Sequence, residues 1–305
     1  MTTLTRVSGL LLLAAVGLRA AEPDGGALVR RAFEGPRAPY QGEITITHWS
    51  AAGARAEEAR VYVQDRGTYR YEYLTPAGRV GRVVVGAKGV EHLLKPEGRR
   101  ARSKPIQPAL SPDKEWTLFQ SNYRVSAPTR DRVADRAVWS VELTPLTEGK
   151  PRERWWVDDD AGVVLALRRY GPDPGDASMV RFVRFEAAPG LNPRLFEVAA
   201  ESETPAADAP AGVDAPRALP CGFVLKRDRR FQTQGVTVTQ WTYTDGLTVV
   251  SFFRTEKPVR LAVPRGRMAV VQEHRGPAYF TVISDGSEAL LRRLCAEWPD
   301  DLRAP

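Results

Sequence analysis

Alternation of apolar and polar positions sets the character of this chain from Tyr40 onward. In Tyr40–Ser50, Ile44, Ile46 and His48 share one face while Glu43, Thr45, Thr47 and Trp49 share the other, which is the period of a half-buried strand. Arg60–Asp65 and Thr68–Leu74 repeat the pattern around Arg66-Gly67. The second run sets Tyr69, Tyr71 and Tyr73 on one side, either as the aromatic layer of a core or as the lining of a binding surface. Val80–Val85 and Gly89–Leu94 continue the meander. The strongest local signal is Arg152–Tyr170, two extended runs joined by the acidic turn Asp159-Asp160-Ala161-Gly162, with Trp155 and Trp156 placing an indole on each face. With Asp131–Leu143 and Met179–Ala187 added, the pattern predicts about eight or nine strands in largely meandering, antiparallel order.

Helical spacing interrupts the strands in a few places. Gly26–Phe33 gathers Leu28, Val29, Ala32 and Phe33 on one side. Ser111-Pro112-Asp113 offers a capping hydroxyl, a proline in the first turn and an acid near the positive helix end, and Trp116, Phe119 and Tyr123 then recur at helical spacing. Such an aromatic helix suits a plug in the hollow of a curved sheet, or an ordinary sheet-packing helix. Between them, Lys95–Pro112 has no period and carries Lys95, Arg99, Arg100, Arg102 and Lys104; it reads as a long loop, either a solvated connector or a basic flap.

Glu201–Arg217 is rich in proline and alanine and almost free of bulky residues, as a linker is. A second unit follows, with strands at Phe223–Arg227, Thr237–Thr244, Leu247–Arg254, Met268–His274 and Ala278–Ser284, and a hairpin turn at Tyr243-Thr244-Asp245-Gly246. Ser287–Trp298 is a final helix whose Leu290, Leu291 and Leu294 face the sheet. The expected organisation is a leader at 1–21, a first domain at 22–200, a flexible linker at 201–217 and a second domain at 218–305. The class is α+β, mainly β.

Composition narrows the setting. The first residues combine Arg6, an apolar core from Val7 to Leu18 and small residues at Ala20 and Ala21, a secretory signal pattern that places the mature protein in an exported compartment. Its removal takes Arg6 and Arg19 away and lowers the formal charge from +7 to +5. An exported basic protein meets anionic lipid heads, lipopolysaccharide or acidic protein surfaces; no aromatic-interleaved basic motif of an RNA-binding sheet is present, so nucleic acid is not an expected partner. Cys221 and Cys295 are the two cysteines, and export allows either a disulfide between them or two buried thiols.

Motifs of catalysis are absent. His48, His92 and His274 lack metal-ligand spacing, Asp158-Asp159-Asp160 lacks the alternating ligands of a calcium loop, and no GxSxG, Walker A or dinucleotide glycine fingerprint occurs. The expectation is a binding protein with no catalytic residue, metal or cofactor.

Several stretches together resemble one family. DRVADRAVWSVELTP leading into RERWWVDDDAGVVLALRRYGPD, the linker, Leu219-Pro220-Cys221-Gly222-Phe223 and Tyr243-Thr244-Asp245-Gly246-Leu247 resemble the MucB/RseB regulators of envelope-stress sigma factors. The first domain of that family is similar to the lipoprotein carriers LolA and LppX. The resemblance implies a LolA-like antiparallel half-barrel with plugging helices, then a smaller antiparallel sheet with one C-terminal helix. It also implies a periplasmic, non-enzymatic protein, peripheral to the membrane at most. Its partner would be the periplasmic segment of a membrane anti-sigma factor, released when lipid or lipopolysaccharide acyl chains bind; a lipid or lipoprotein carrier is the alternative. On that reading Ile44, Ile46, Tyr69, Tyr71, Tyr73, Trp116, Phe119 and Trp155 are candidates to line a lipid cavity, and Trp241, Tyr243, Phe252 and Phe253 are candidates to meet the partner.

Overall fold

The computed structural model describes residues 22–51, 53–76, 79–87, 89–95, 100–105, 110–171, 175–198, 216–233, 235–258 and 268–298. The expected leader, and all of the expected linker except Pro216 and Arg217, lie outside the described residues.

The first unit begins with α1 (Gly25–Glu34), β1 (Tyr40–Ser50), β2 (Gly53–Val63), β3 (Tyr69–Tyr73), β4 (Val83–Ala87), β5 (Val90–Leu94) and β6 (Arg100–Pro105). It continues through α2 (Pro112–Asn122), β7 (Tyr123–Val125), β8 (Thr129–Val133), β9 (Arg136–Pro145), β10 (Arg152–Asp158), β11 (Val163–Tyr170) and β12 (Ala177–Ala187). The strands form one antiparallel sheet in the order β6-β5-β4-β3-β2-β1-β12-β11-β10-β9-β7, with β8 also paired to β9. The chain thus starts mid-sheet, meanders to one edge, crosses by α2 to the far edge and meanders back until β12 pairs with β1. This is the half-barrel architecture with helices on its hollow face.

Sequence chemistry explains the helices. The Asp24 carboxylate accepts from Ala27 N at 2.8 Å to cap α1, and Ser111 Oγ accepts from Lys114 N at 3.4 Å to cap α2. Both helices press aromatic rings onto the same core: Phe33 lies 5.4 Å from Phe119, 6.2 Å from Trp116 and 5.8 Å from Trp155 between ring centroids. The tip of the β10–β11 hairpin fastens α1 from outside. Asp159 pairs with Arg31, and the Asp160 carbonyl accepts from Arg37 Nη1 at 3.2 Å. The acidic run therefore serves as a turn and tether.

The sheet has twelve strands, more than the pattern predicted. Asp131–Leu143 is split by a turn at Ala134-Asp135, both at positive φ, with no glycine or asparagine to mark it. Arg100–Pro105 corrects the expected loop: it is an edge strand paired to β5, and backbone hydrogen bonds hold an edge strand whose sequence has no apolar face.

The second unit contains β13 (Ala218–Leu219), β14 (Phe223–Thr233), β15 (Val236–Thr244), β16 (Val249–Thr255), β17 (Ala269–Arg275), β18 (Ala278–Ser284) and α3 (Glu288–Ala296). Its antiparallel order is β13-β14-β15-β16-β18-β17, with α3 on one face. Leu290, Leu291, Leu294 and Cys295 of α3 pack on Trp241, Tyr243 and Phe252, and Trp298 stacks on Phe252 at 4.2 Å.

Candidate functional site

The two sheets meet where the end of α2 and the β9–β10 connection of the first unit face two turns of the second. Lys150 and Asp245 cross this junction as an ion pair at 2.7 Å, both side chains fully enclosed. An ammonium has three donors, and here each has an acceptor: Asp245, Asn122 Oδ1 at 3.0 Å and the Cys221 carbonyl at 2.6 Å. The charge also lies 4.8 Å from the centre of the Phe223 ring. Asp245 in turn accepts from Thr248 N at 2.7 Å, Leu247 N at 3.0 Å and the Tyr123 hydroxyl at 3.0 Å. Burial first, and then the nearby Asp245 charge, pushes the Tyr123 phenol well above its ordinary range, so it stays a hydrogen-bond donor.

Two glycines make the approach feasible. Gly246 (φ +100) lies against α2, where a Cβ would stand 2.6 Å from Phe119 N and 2.8 Å from the Glu115 carbonyl. Gly222 (φ +77) lies against Asn122, whose amide donates to its carbonyl at 3.3 Å. Beside Gly246, Leu247 packs into the aromatic cluster of α1 and α2. The second unit therefore clamps the helix that covers the hollow face of the first.

A second contact lies nearby. Arg169 bridges Glu153 of its own sheet and Asp285 of the second unit, and Trp155 Nε1 donates to Glu153 at 2.6 Å. Burial outweighs the attraction of this one guanidinium for each acid, and the Asp285 charge adds to the rise at Glu153 as the Asp245 charge does at Asp285. Both carboxyls are thereby raised above their ordinary values of 4.5 and 3.8.

The expected cavity residues separate into two places. Tyr69 and Tyr71 line a cavity of about 330 Å³ together with Tyr40, Val63, Ala32 and Val163, under the end of α1. Ile44 is buried next to it, and Ile46 and Tyr73 pack in the same cluster as Tyr71. Trp116 and Phe119 line a different groove, of about 460 Å³, with Asp24, Arg30 and Gln120. Trp155 is buried beneath the helices, and Trp156 belongs to the other cluster, hydrogen-bonded to Asp131 at 2.7 Å.

The expected partner residues are placed otherwise than a contact surface needs. Trp241, Tyr243 and Phe252 are enclosed under α3, and Phe253 is half-buried. The physical reason is the apolar stripe of α3, which requires an aromatic floor. Cys221 and Cys295 carry thiols rather than the bridge considered above, and both pack on the core of the second unit. Sequence reasoning missed Asn122, Tyr123, Lys150, Glu153, Arg169 and Asp285. Asp245, Gly222 and Gly246 stood inside the two motifs that carried the resemblance.

No protein-family model and no curated protein matches the chain. Solved structures do. A MucA/MucB complex from Pseudomonas aeruginosa is 18% identical with a TM-score of 0.65, covering 89% of this chain and 97% of that one. MucB in complex with MucA(peri) gives 19%, 0.61, 89% and 97%, and MucB alone gives 18%, 0.59, 90% and 97%. The chain therefore has the MucB fold across both units.

Removing one partner of the buried pair leaves the other charged and enclosed. Lys150→Met is expected to lower the unfolding free energy by about 3–5 kcal/mol, and adding Asp245→Asn to recover a large part of it; urea unfolding of the single and double variants checks this. A carboxyl with a raised folded pKa binds its proton first in the folded state, so its contribution to stability falls as pH rises through the window above its ordinary value. The stability difference between the parent and Glu153→Gln should accordingly shift in the parent's favour from about pH 7 to about pH 5. A constant difference in urea midpoints would contradict the assignment.

Proposed function

We propose that this chain is an exported, non-enzymatic regulator that holds the exported segment of a membrane anti-sigma factor through both of its units. The observation that carries the reading is the clamp: residues of two of the resemblance motifs, Gly222 and Asp245-Gly246, meet α2 and Lys150 at the junction between the sheets, in the fold of MucB, which is also solved in complex with MucA. A regulator of this kind needs two units in a fixed relation, because a segment bound across both senses any change between them.

Acyl chains are the proposed signal. The cavity beside Tyr69 and Tyr71 is bounded by the end of α1, and the groove beside Trp116 by α1 and α2, so a chain entering either would exchange helix contacts for its own. Each methylene so buried contributes about 0.8 kcal/mol, and a few offset the contacts of one short helix. Release follows if the lipid-bound arrangement is the one the anti-sigma segment does not fit. The cavity also supports a second reading, a carrier that moves lipid or lipoprotein between membranes.

Calorimetry with the chain from residue 22 and the exported segment of the anti-sigma factor encoded beside it is expected to show binding. Gly246→Val, which drives a side chain into α2, should weaken that binding by at least about tenfold. Absence of binding to any such segment would sink the regulator reading. For the carrier reading, a fluorescent fatty acid should be taken up stoichiometrically and pass to acceptor vesicles; uptake without transfer would exclude it.

A further inference from the structure

The face of the first sheet opposite α1 and α2 carries a different chemistry. Register places Arg152, Arg154 and Trp156 of β10 beside Tyr170, Arg168 and Ala166 of β11, with Arg168 beside Met179 and Ala166 beside Arg181 of β12. Trp49 of β1 completes the row opposite Ala177. The guanidiniums stand over the rings: Arg152 lies 4.4 Å from the Tyr170 centroid, Arg168 5.0 Å from Tyr170 and 5.6 Å from Trp49, and Arg154 5.0 Å from Trp156.

Folding accounts for Arg154 and Arg181 in part and for Arg152 and Arg168 not at all. Arg154 and Arg168 are directly opposite across neighbouring strands, and like charges at that position are destabilising. The opposing acids are Glu142, across from Arg154, and Asp131, which accepts from the Trp156 indole and also feels the Arg181 and Arg154 charges; both lie at the Arg154 end of the row. Among the described residues Arg152 and Arg168, both exposed, have no carboxylate partner, and Arg154 Nε is buried without a hydrogen-bond acceptor. Ring stacking orders the guanidiniums of Arg152, Arg154 and Arg168. Arg154 Nη2 donates to Ser140 Oγ at 3.0 Å and Arg181 Nη2 to the Arg132 carbonyl at 3.1 Å, so the open donor edges are those of Arg152 and Arg168, with the remaining donors of the other two, in a geometry that suits phosphate oxygens.

We infer that this helix-free face docks on an anionic phospholipid surface, with Arg152, Arg154, Arg168 and Arg181 meeting headgroup phosphates. Charge complementarity favours a membrane over a single soluble anion, since the cations form a row across three strands rather than a pocket. Half-buried Trp49 and Tyr170 between them have the amphipathic character of side chains that settle at a bilayer interface. The surface lies apart from the cavity and the inter-unit clamp, so this inference stands whether or not the regulator reading holds.

The test uses the chain from residue 22, which contains every described residue, with phosphatidylglycerol vesicles and neutral phosphatidylcholine vesicles in a sedimentation assay. The expected result is binding to the anionic vesicles that weakens with added salt, and about thirtyfold weaker partition for Arg152→Gln with Arg168→Gln. Arg152→Lys with Arg168→Lys should retain most of the binding. Thr47→Glu, an acid placed on the same face opposite Met179 with every arginine and ring kept, should also weaken it and guards against misfolding of the double variant. Equal binding by parent and Gln variant, equal binding to neutral vesicles, or displacement by inorganic phosphate well beyond that by sodium chloride at equal ionic strength would each overturn the inference. So would capture of polyglutamate without binding to anionic vesicles, which would make the face a site for acidic protein.

Discussion

An ion pair closed off from water tolerates no missing partner, and the Lys150–Asp245 pair fixes the relation between the two sheets for that reason. Three acceptors around the ammonium and three donors around the carboxylate come, with Lys150 itself, from four separated stretches of chain. Each stretch must be in place for the others to be satisfied. The glycines at 222 and 246 follow from the same demand, because the backbone has to come within contact of α2.

This constraint reaches the hollow face through a stack of rings. Tyr123, bonded to Asp245, stacks on Phe119 at 5.2 Å and 4°, and Phe119 stacks on Trp116 at 5.5 Å and 20°. Trp116 and Phe119 line the groove beside α1. On the proposed function, a ligand shifting α2 would move rings that end on the buried pair, and a partner straining the junction would be felt at the groove. Such coupling is reciprocal.

Much of the architecture was legible in the residues. The Arg152–Tyr170 hairpin, the Ser111 cap of α2 and the Asp-Gly turn of the second unit all have local causes, and local causes leave local marks. The junction was not legible in the same way. Asp245 was visible as a turn residue, but its partner Lys150 lies far off in a connection without periodicity, so only the fold brings them together. The enclosure of Trp241, Tyr243 and Phe252 was not legible, because alternation separates the two faces of a strand without saying which one a helix will cover. Arg100–Pro105 was missed because an edge strand needs backbone pairing and no apolar face. The arginine row on the helix-free face left a trace in the sequence as alternate arginines of β10, recognisable once the register of β11 set Arg168 beside Arg154.

The central claim is that the second unit, through the Lys150–Asp245 pair, holds α2 on the first. Amide hydrogen exchange along Trp116–Asn122 tests it most directly, comparing the parent chain with Lys150→Met. Protection of these amides is expected to fall markedly in the variant while β1 and β12 at the centre of the sheet keep theirs. Unchanged protection in α2, with the junction pair removed, would contradict it.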